Sequence, residues 1–189
     1  EADEVKGSAR SIPEVDLGAL IIAAKEKRIL TTGGGDTMAA GFSLEEDKIE
    51  EFRNFAGEYV NARIGGEEIV PVIELDGVLD AAGATVELAE QLEQLEPFGA
   101  GNPEPKLMLS GVRAVRASLV GSGHVRCFLT SDNGGNIKAM AFRSADTEVG
   151  KALLNGKGDK FDVVGVLRRD NWQGRNSVQF IIDDIRKSR

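Results

Sequence analysis

The chain has 189 residues, enough for two ordinary domains each with its own core, and a formal net charge of −8 with 41% hydrophobic residues. No apolar run is long enough to span a bilayer and no basic-then-apolar leader opens the sequence, so a soluble, cytoplasmic protein without a membrane partner is expected. One cysteine, Cys127, and one histidine, His124, exclude an internal disulfide and leave nothing that reads as a structural zinc site or a nucleophile–base pair.

From the start, Gly7-Ser8-Ala9-Arg10-Ser11 reads as a small-residue loop whose hydroxyl and guanidinium suit an anion. Ile12-Pro13 blocks an immediate helix, and Asp16 predicts an N-cap for a helix over Leu17 to Glu26 with Leu17, Leu20, Ile21 and Ala24 on one face. Gly33-Gly34-Gly35-Asp36-Thr37 follows. Without Cβ atoms the glycines can take φ > 0 and bring N–H groups against a phosphate; the other reading is a plain turn into a strand. That strand sets Met38, Ala40 and Phe42 against the smaller Ala39, Gly41 and Ser43, as though something packs close on the small side. A helix is predicted from about Glu45 to Ile64, its inward stripe Ile49, Phe52, Ala56, Tyr59 and Val60 and its outer face acidic. Gly65-Gly66 ends it, Ile69 to Leu75 around Pro71 reads as an edge strand, and a second acidic helix runs from about Thr85 to Leu95.

The stretch 97–105, Pro-Phe-Gly-Ala-Gly-Asn-Pro-Glu-Pro, forbids regular structure and reads as a rigid connector between domains at 1–96 and 106–189, with Phe98 at their interface. The charge changes there. Residues 1–105 hold 8 basic and 23 acidic residues, a balance of −15; residues 106–189 hold 15 and 8, a balance of +7. Such asymmetry suits a polyanion on the second part, though solvated faces can also differ in sign without one.

Beyond the connector, strand-sized segments at Lys106 to Val120, His124 to Ser131, Asn136 to Arg143, Phe161 to Arg169 and Ser177 to Arg186, with a helical or looped stretch after the third, predict a five-stranded barrel of the oligonucleotide-binding (OB) type. In the second strand Val125, Cys127 and Leu129 are core candidates. His124, Arg126, Phe128 and Thr130 then face outward, as a base-stacking surface or as an ordinary barrel strand with Phe128 covered by the other domain. In the third, either Ile137, Ala139 and Ala141 or Lys138, Met140 and Phe142 can be the core set. Trp172 sits in a loop with Arg168, Arg169 and Arg175 around it, placed either to stack on bases or to fold back as a lid.

Three of these stretches, Gly-Ser-Ala-Arg-Ser, Gly-Gly-Gly-Asp-Thr-Met-Ala-Ala-Gly and the 97–105 connector, resemble in this order the RecJ branch of the DHH phosphoesterase family, as does the late loop that carries Trp172, Gly174 and Arg175. The resemblance implies an α+β DHH-associated domain followed by an all-β OB barrel. It implies the C-terminal, substrate-binding part of a 5′-to-3′ exonuclease for single-stranded DNA, used in DNA repair and recombination. Ser8, Arg10, Gly33, Gly34, Gly35, Asp36 and Thr37 would meet substrate phosphate. Arg126, Phe128, Lys138, Arg168, Arg169, Trp172 and Arg175 would meet the strand. Mn2+ or Mg2+ is implied only for a DHH domain, the expected partner in the same protein, whose Asp and His motifs are not in this sequence. The chain alone is therefore expected to be inactive. The family has His where this chain has Asp36, and a carboxylate there is expected to repel phosphate. A freestanding single-strand-binding module and a protein-interaction platform are the alternatives.

Overall fold

The computed structural model describes residues 3–65, 69–171 and 176–188, and the chain divides into two compact units at Val72/Ile73. In the first unit, β1 (Glu4–Arg10), α1 (Leu17–Glu26), β2 (Thr32–Gly35), β3 (Ala39–Glu45) and α2 (Ile49–Ile64) follow in order, with a short 3-10 turn at Glu46–Lys48. The strands form an antiparallel sheet in the order β1-β3-β2. One face of it is covered: Ala40 and Leu44 pack with Leu17, Leu20, Ile21 and Ala24 of α1, as the helical spacing requires. Asp16 caps α1 by accepting from the Ala19 N–H at 2.9 Å, a contact whose loss costs about 1 kcal/mol in comparable helices.

Several expectations change here. Residues 7–10 belong to β1 and are not a loop, because pairing with β3 takes up their backbone. The triple glycine lies in β2, and none of the three has positive φ. Strand β3 runs on to Glu45, so α2 starts later, at Ile49. Its stripe packs on the core only in part: Phe52, Ala56, Tyr59 and Val60 are half-buried and no α2 residue is fully buried. Gly65, at φ 63°, ends the helix as expected. Residues 69–75 form no strand and stay exposed, Val72 to 80%; Pro71 removes a backbone donor from the middle of the run.

The second unit holds β4 (Gly77–Leu79), a 3-10 turn at Ala81–Gly83, α3 (Val86–Glu93), β5 (Leu107–Val120), β6 (His124–Thr130), β7 (Asn136–Ala141), α4 (Glu148–Asn155), β8 (Phe161–Asp170) and β9 (Ser177–Lys187). Strands β5-β6-β7-β9-β8 are hydrogen-bonded in that order and β8 pairs back with β5, closing the predicted barrel, with α4 between its third and fourth strands. Val125, Cys127, Leu129, Ile137, Ala139, Ala141, Val163 and Phe180 fill it. That settles the β7 register: the small Ala139 and Ala141 face inward and Lys138 and Met140 outward. Cys127 is core, and burial pushes its thiol up to about 12, which leaves it chemically inert.

The connector is ordered but joins no domains. It lies inside the second unit, where Gly99 and Asn102 exchange backbone bonds at 2.9 and 3.1 Å and the Asn102 amide donates to the carbonyls of Leu95 and Pro97. Helix α3, predicted with the first domain, belongs to the barrel unit: Ala89 is buried in the barrel core with Leu88 and Leu92 packed against it, and Arg169 on β8 binds Glu93 and Glu90. Phe98 accordingly lines a cleft with Leu92 and Leu167 within this unit.

Candidate nucleic-acid interface

The first unit leaves one sheet face open. Along β1 the exposed residues are Glu4, Lys6, Ser8 and Arg10, alternating with half-buried Val5, Gly7 and Ala9. Ser8 lies opposite Gly41 of β3, and Gly41 opposite Gly34 of β2. A Cβ at either glycine would meet nothing within 4 Å, so beside Ser8 the backbone itself is the surface. The other glycines work inward. A Cβ at Gly33 would come within 2.8 Å of Ile21, one at Gly35 would overlap the Ala39 carbonyl, and one at Gly7 would overlap the Phe42 ring. Of the small residues of β3, Gly41 is thus exposed while Ala39 is half-buried and Ser43 buried, and the close packing at the glycines falls on the opposite side.

Asp36 and Thr37 form the turn between β2 and β3. Asp36 Oδ1 accepts from the N–H groups of Met38 at 2.8 Å and Ala39 at 2.7 Å, and its own N–H donates to the Ala39 carbonyl at 2.9 Å. These backbone donors, then residual attraction to Arg10, hold its carboxyl below the ordinary range. Asp36 is therefore a turn-former at the end of the open face. The carbonyl of exposed Thr37 receives the Leu17 N–H at 3.0 Å, which ties the turn to the start of α1. Of the predicted phosphate group, Ser8, Arg10, Gly34 and the Asp36 turn share the open face, while Gly33 and Gly35 shape it from behind.

On the barrel, the outward side chains of β6 and β7 meet in register: Phe128 opposite Lys138, Arg126 opposite Met140. β5 adds a residue that sequence reasoning missed. Its pairing with β6 slips between Val115 and Ser118, and at this bulge Arg116 takes φ 52°. The bulge aims the Arg116 guanidinium over the Phe128 ring, 5.5 Å from its centroid. No sequence signal marks a bulge at an arginine.

The barrel's cations divide by pairing. Lys138 binds Asp170 at 2.7 Å, Arg168 holds Glu104 through two nitrogens, and Arg169 bridges Glu93 and Glu90. Arg168 in turn keeps the Glu104 carboxyl below its usual range. Arg113 and Lys160 converge on Asp132, whose pKa their contacts, that of Lys160 foremost, lower to about 2. Among the described residues Arg116, Arg126 and Arg143 have no ion pair; Arg116 lies over Phe128, Arg126 stands on β6 opposite Met140, and Arg143 follows Phe142 in the chain. Arg168 and Arg169, expected on the strand path, are instead neutralised by α3 and the connector. Trp172 and Arg175 lie outside the described residues.

Comparison with known proteins gives a consistent result. The RecJ OB domain model matches residues 75–184 and the DHHA1 domain model residues 1–62. The single-stranded-DNA-specific exonuclease RecJ of Escherichia coli (strain K12) is 30% identical over 184 residues, which cover 96% of this chain and 31% of that protein. Its counterpart from Bacillus subtilis (strain 168) is 27% identical over 181 residues, or 95% of this chain and 22% of that protein. The crystal structure of RecJ in complex with Mn2+ from Thermus thermophilus superposes with a TM-score of 0.71 at 25% identity, over 97% of this chain and 26% of that one. The chain thus spans less than a third of the length of these relatives.

Proposed function

The chain belongs to the RecJ family, and from that premise we propose that it is the substrate-holding part of a 5′-to-3′ exonuclease for single-stranded DNA that serves repair and recombination in the cytoplasm. The observation that carries this reading is the β6–β7 face, where Arg116 and Arg126, which have no ion pair among the described residues, flank an outward aromatic, Phe128. Guanidinium groups held by no carboxylate are available to phosphate, and a ring presented beside them can stack on a base that no complementary strand occupies. Paired Lys138, Arg168 and Arg169 order the barrel around this face. The open sheet face of the first unit is assigned the terminal phosphate: Ser8 and Arg10 contact it over the bare backbone at Gly34, and the turn at Asp36 and Thr37 closes that end.

The relative from Thermus thermophilus was solved with Mn2+ and with Mg2+. Among the described residues no three His, Cys, Asp or Glu side chains converge, so these residues do not fit such a metal centre, and no hydrolytic step is assigned to them. Cleavage is assigned to a DHH domain in the remaining length of the protein.

The test is the affinity of the 189-residue chain for a labelled oligothymidylate across a salt series. Three guanidinium contacts on a single strand give a log–log slope of about −2. A slope near zero would favour the protein-interaction alternative, and nucleotide release by the chain with Mn2+ would overturn the assignment of cleavage elsewhere.

A further inference from the structure

We propose that the far end of the β6–β7 face, formed by Phe142, His124 and Arg143, is a second base-stacking subsite for single-stranded DNA, distinct from the Phe128–Arg116 platform. This rests on the single-strand reading above and adds a site that neither sequence nor family match assigns.

Phe142 follows the last residue of β7 and remains 54% exposed, the most exposed aromatic side chain among the described residues. It is nevertheless held. The His124 ring meets it edge-on, with centroids 5.2 Å apart and planes at 73°, which braces one side. His124 is fixed in turn, because its Nδ1 accepts the Arg143 N–H at 2.9 Å. That bond exists because Arg143 takes φ 52° and turns the chain away from the strand. A non-glycine residue in the left-handed region persists only where its surroundings enforce it. Here its product is an aromatic ring supported on one side, followed in the chain by Arg143, which has no ion pair among the described residues.

The charge beside the ring selects the occupant. A protein partner seeking an apolar anchor would meet Arg143 and Arg126 at the rim, both without a carboxylate partner among the described residues, whereas a polyanion is complementary to them. Spacing then fixes the relation between the two subsites. Phe128 is opposite Lys138, and Phe142 lies four residues further along the chain, just past the end of β7, about 14 Å at the usual strand rise. Stacked DNA advances only about 3.4 Å per nucleotide, so neighbouring bases cannot occupy both rings. At that advance the gap is about four steps, so about three further nucleotides pass across Arg126 and Met140. The face therefore measures length: a dinucleotide reaches one ring and a hexanucleotide both.

Calorimetric titration of the full chain and its Phe142→Ala, Phe142→Trp and Phe128→Ala variants with oligothymidylates of two and six nucleotides tests this. Loss of one stacking contact is expected to weaken the hexanucleotide at least about fivefold in Phe142→Ala and to change the dinucleotide by less than about twofold, with Trp restoring the loss. Circular dichroism confirms the fold, which truncation of a largely exposed side chain leaves intact. If Phe142→Ala binds the hexanucleotide as tightly as the parent while Phe128→Ala binds it more weakly, the second subsite is wrong and the single-strand reading stands. If the parent chain fails to bind the hexanucleotide at low salt, the reading on which the proposal rests falls with it.

Discussion

Across the middle of the three-stranded sheet, the outward row is Ser8, Gly41 and Gly34; across the barrel it is Val115, Phe128 and Lys138. The first row offers backbone and one hydroxyl, with Arg10 at the end of β1. The second offers an aromatic ring under a guanidinium. A compact anion such as a terminal phosphate suits the first surface, because removing Cβ atoms lets it approach the chain closely. A strand of bases suits the second, which supplies stacking area and spaced charge. The two units differ in what they can hold, and each difference is open to substitution.

The largest expected effect is on the sheet. Gly35→Val would drive a side chain into the Ala39 carbonyl and the Ala40 backbone, contacts that cannot move aside, and is expected to destabilise the first unit by about 3 kcal/mol. Thermal denaturation should show that loss while oligothymidylate binding by the barrel persists. Gly34→Ala, which faces open space, should leave stability nearly unchanged and reduce only the preference for a 5′ phosphate. Equal destabilisation by the two would mean that the faces are assigned the wrong way round.

Next in size is Phe128→Ala, expected to weaken single-strand binding by about 1 to 3 kcal/mol, with Arg116→Ala producing part of that loss through the same ring. A double-mutant cycle by anisotropy titration should find the two coupled. Additive losses would show that Arg116 acts on phosphate independently of the ring.

Smaller still is the change at the paired arginines. Arg169→Ala is expected to loosen α3 on β8, seen as faster amide exchange over residues 86–93, and to alter DNA affinity by less than about twofold. An affinity loss as large as that of Arg126→Ala would return Arg169 to the strand path.

How much of this was legible in the sequence follows from the range over which each feature is set. Helix α1 was readable from Asp16 to Glu26, since its cap and periodicity are local, and the five barrel strands were readable from alternation between turn signals. Residues 69–75 misled because apolar, β-prone composition does not supply a neighbouring strand. The site was less legible than the fold. Arg168, Arg169, Arg116 and Arg126 are chemically alike, and what separates them is whether Glu90, Glu93 or Glu104, 64 to 79 residues away from the two paired ones, folds against them. Asp36 read as a defect in an anion cradle because its backbone donors become visible only when the turn is closed.

The smallest expected effect is on acid stability. Asp132 has a folded pKa of about 2 against an ordinary 3.8, a depressed value, so its contribution is full above the ordinary value and is lost as pH falls through that window. Asp132→Asn should flatten the stability profile between those two values and leave single-strand affinity unaltered at neutral pH. An unchanged profile would place the acid sensitivity elsewhere in the barrel.

The division of labour itself is tested most directly by titrating 5′-phosphorylated and unphosphorylated oligothymidylates against the parent chain, Arg10→Ala and Arg126→Ala. Arg10→Ala should abolish the preference for the phosphorylated strand and leave the unphosphorylated one bound as before, while Arg126→Ala should weaken both by the same factor. Equal weakening of both ligands by Arg10→Ala, or a phosphate preference that survives it intact, would contradict the assignment of the terminal phosphate to the sheet and of the strand to the barrel.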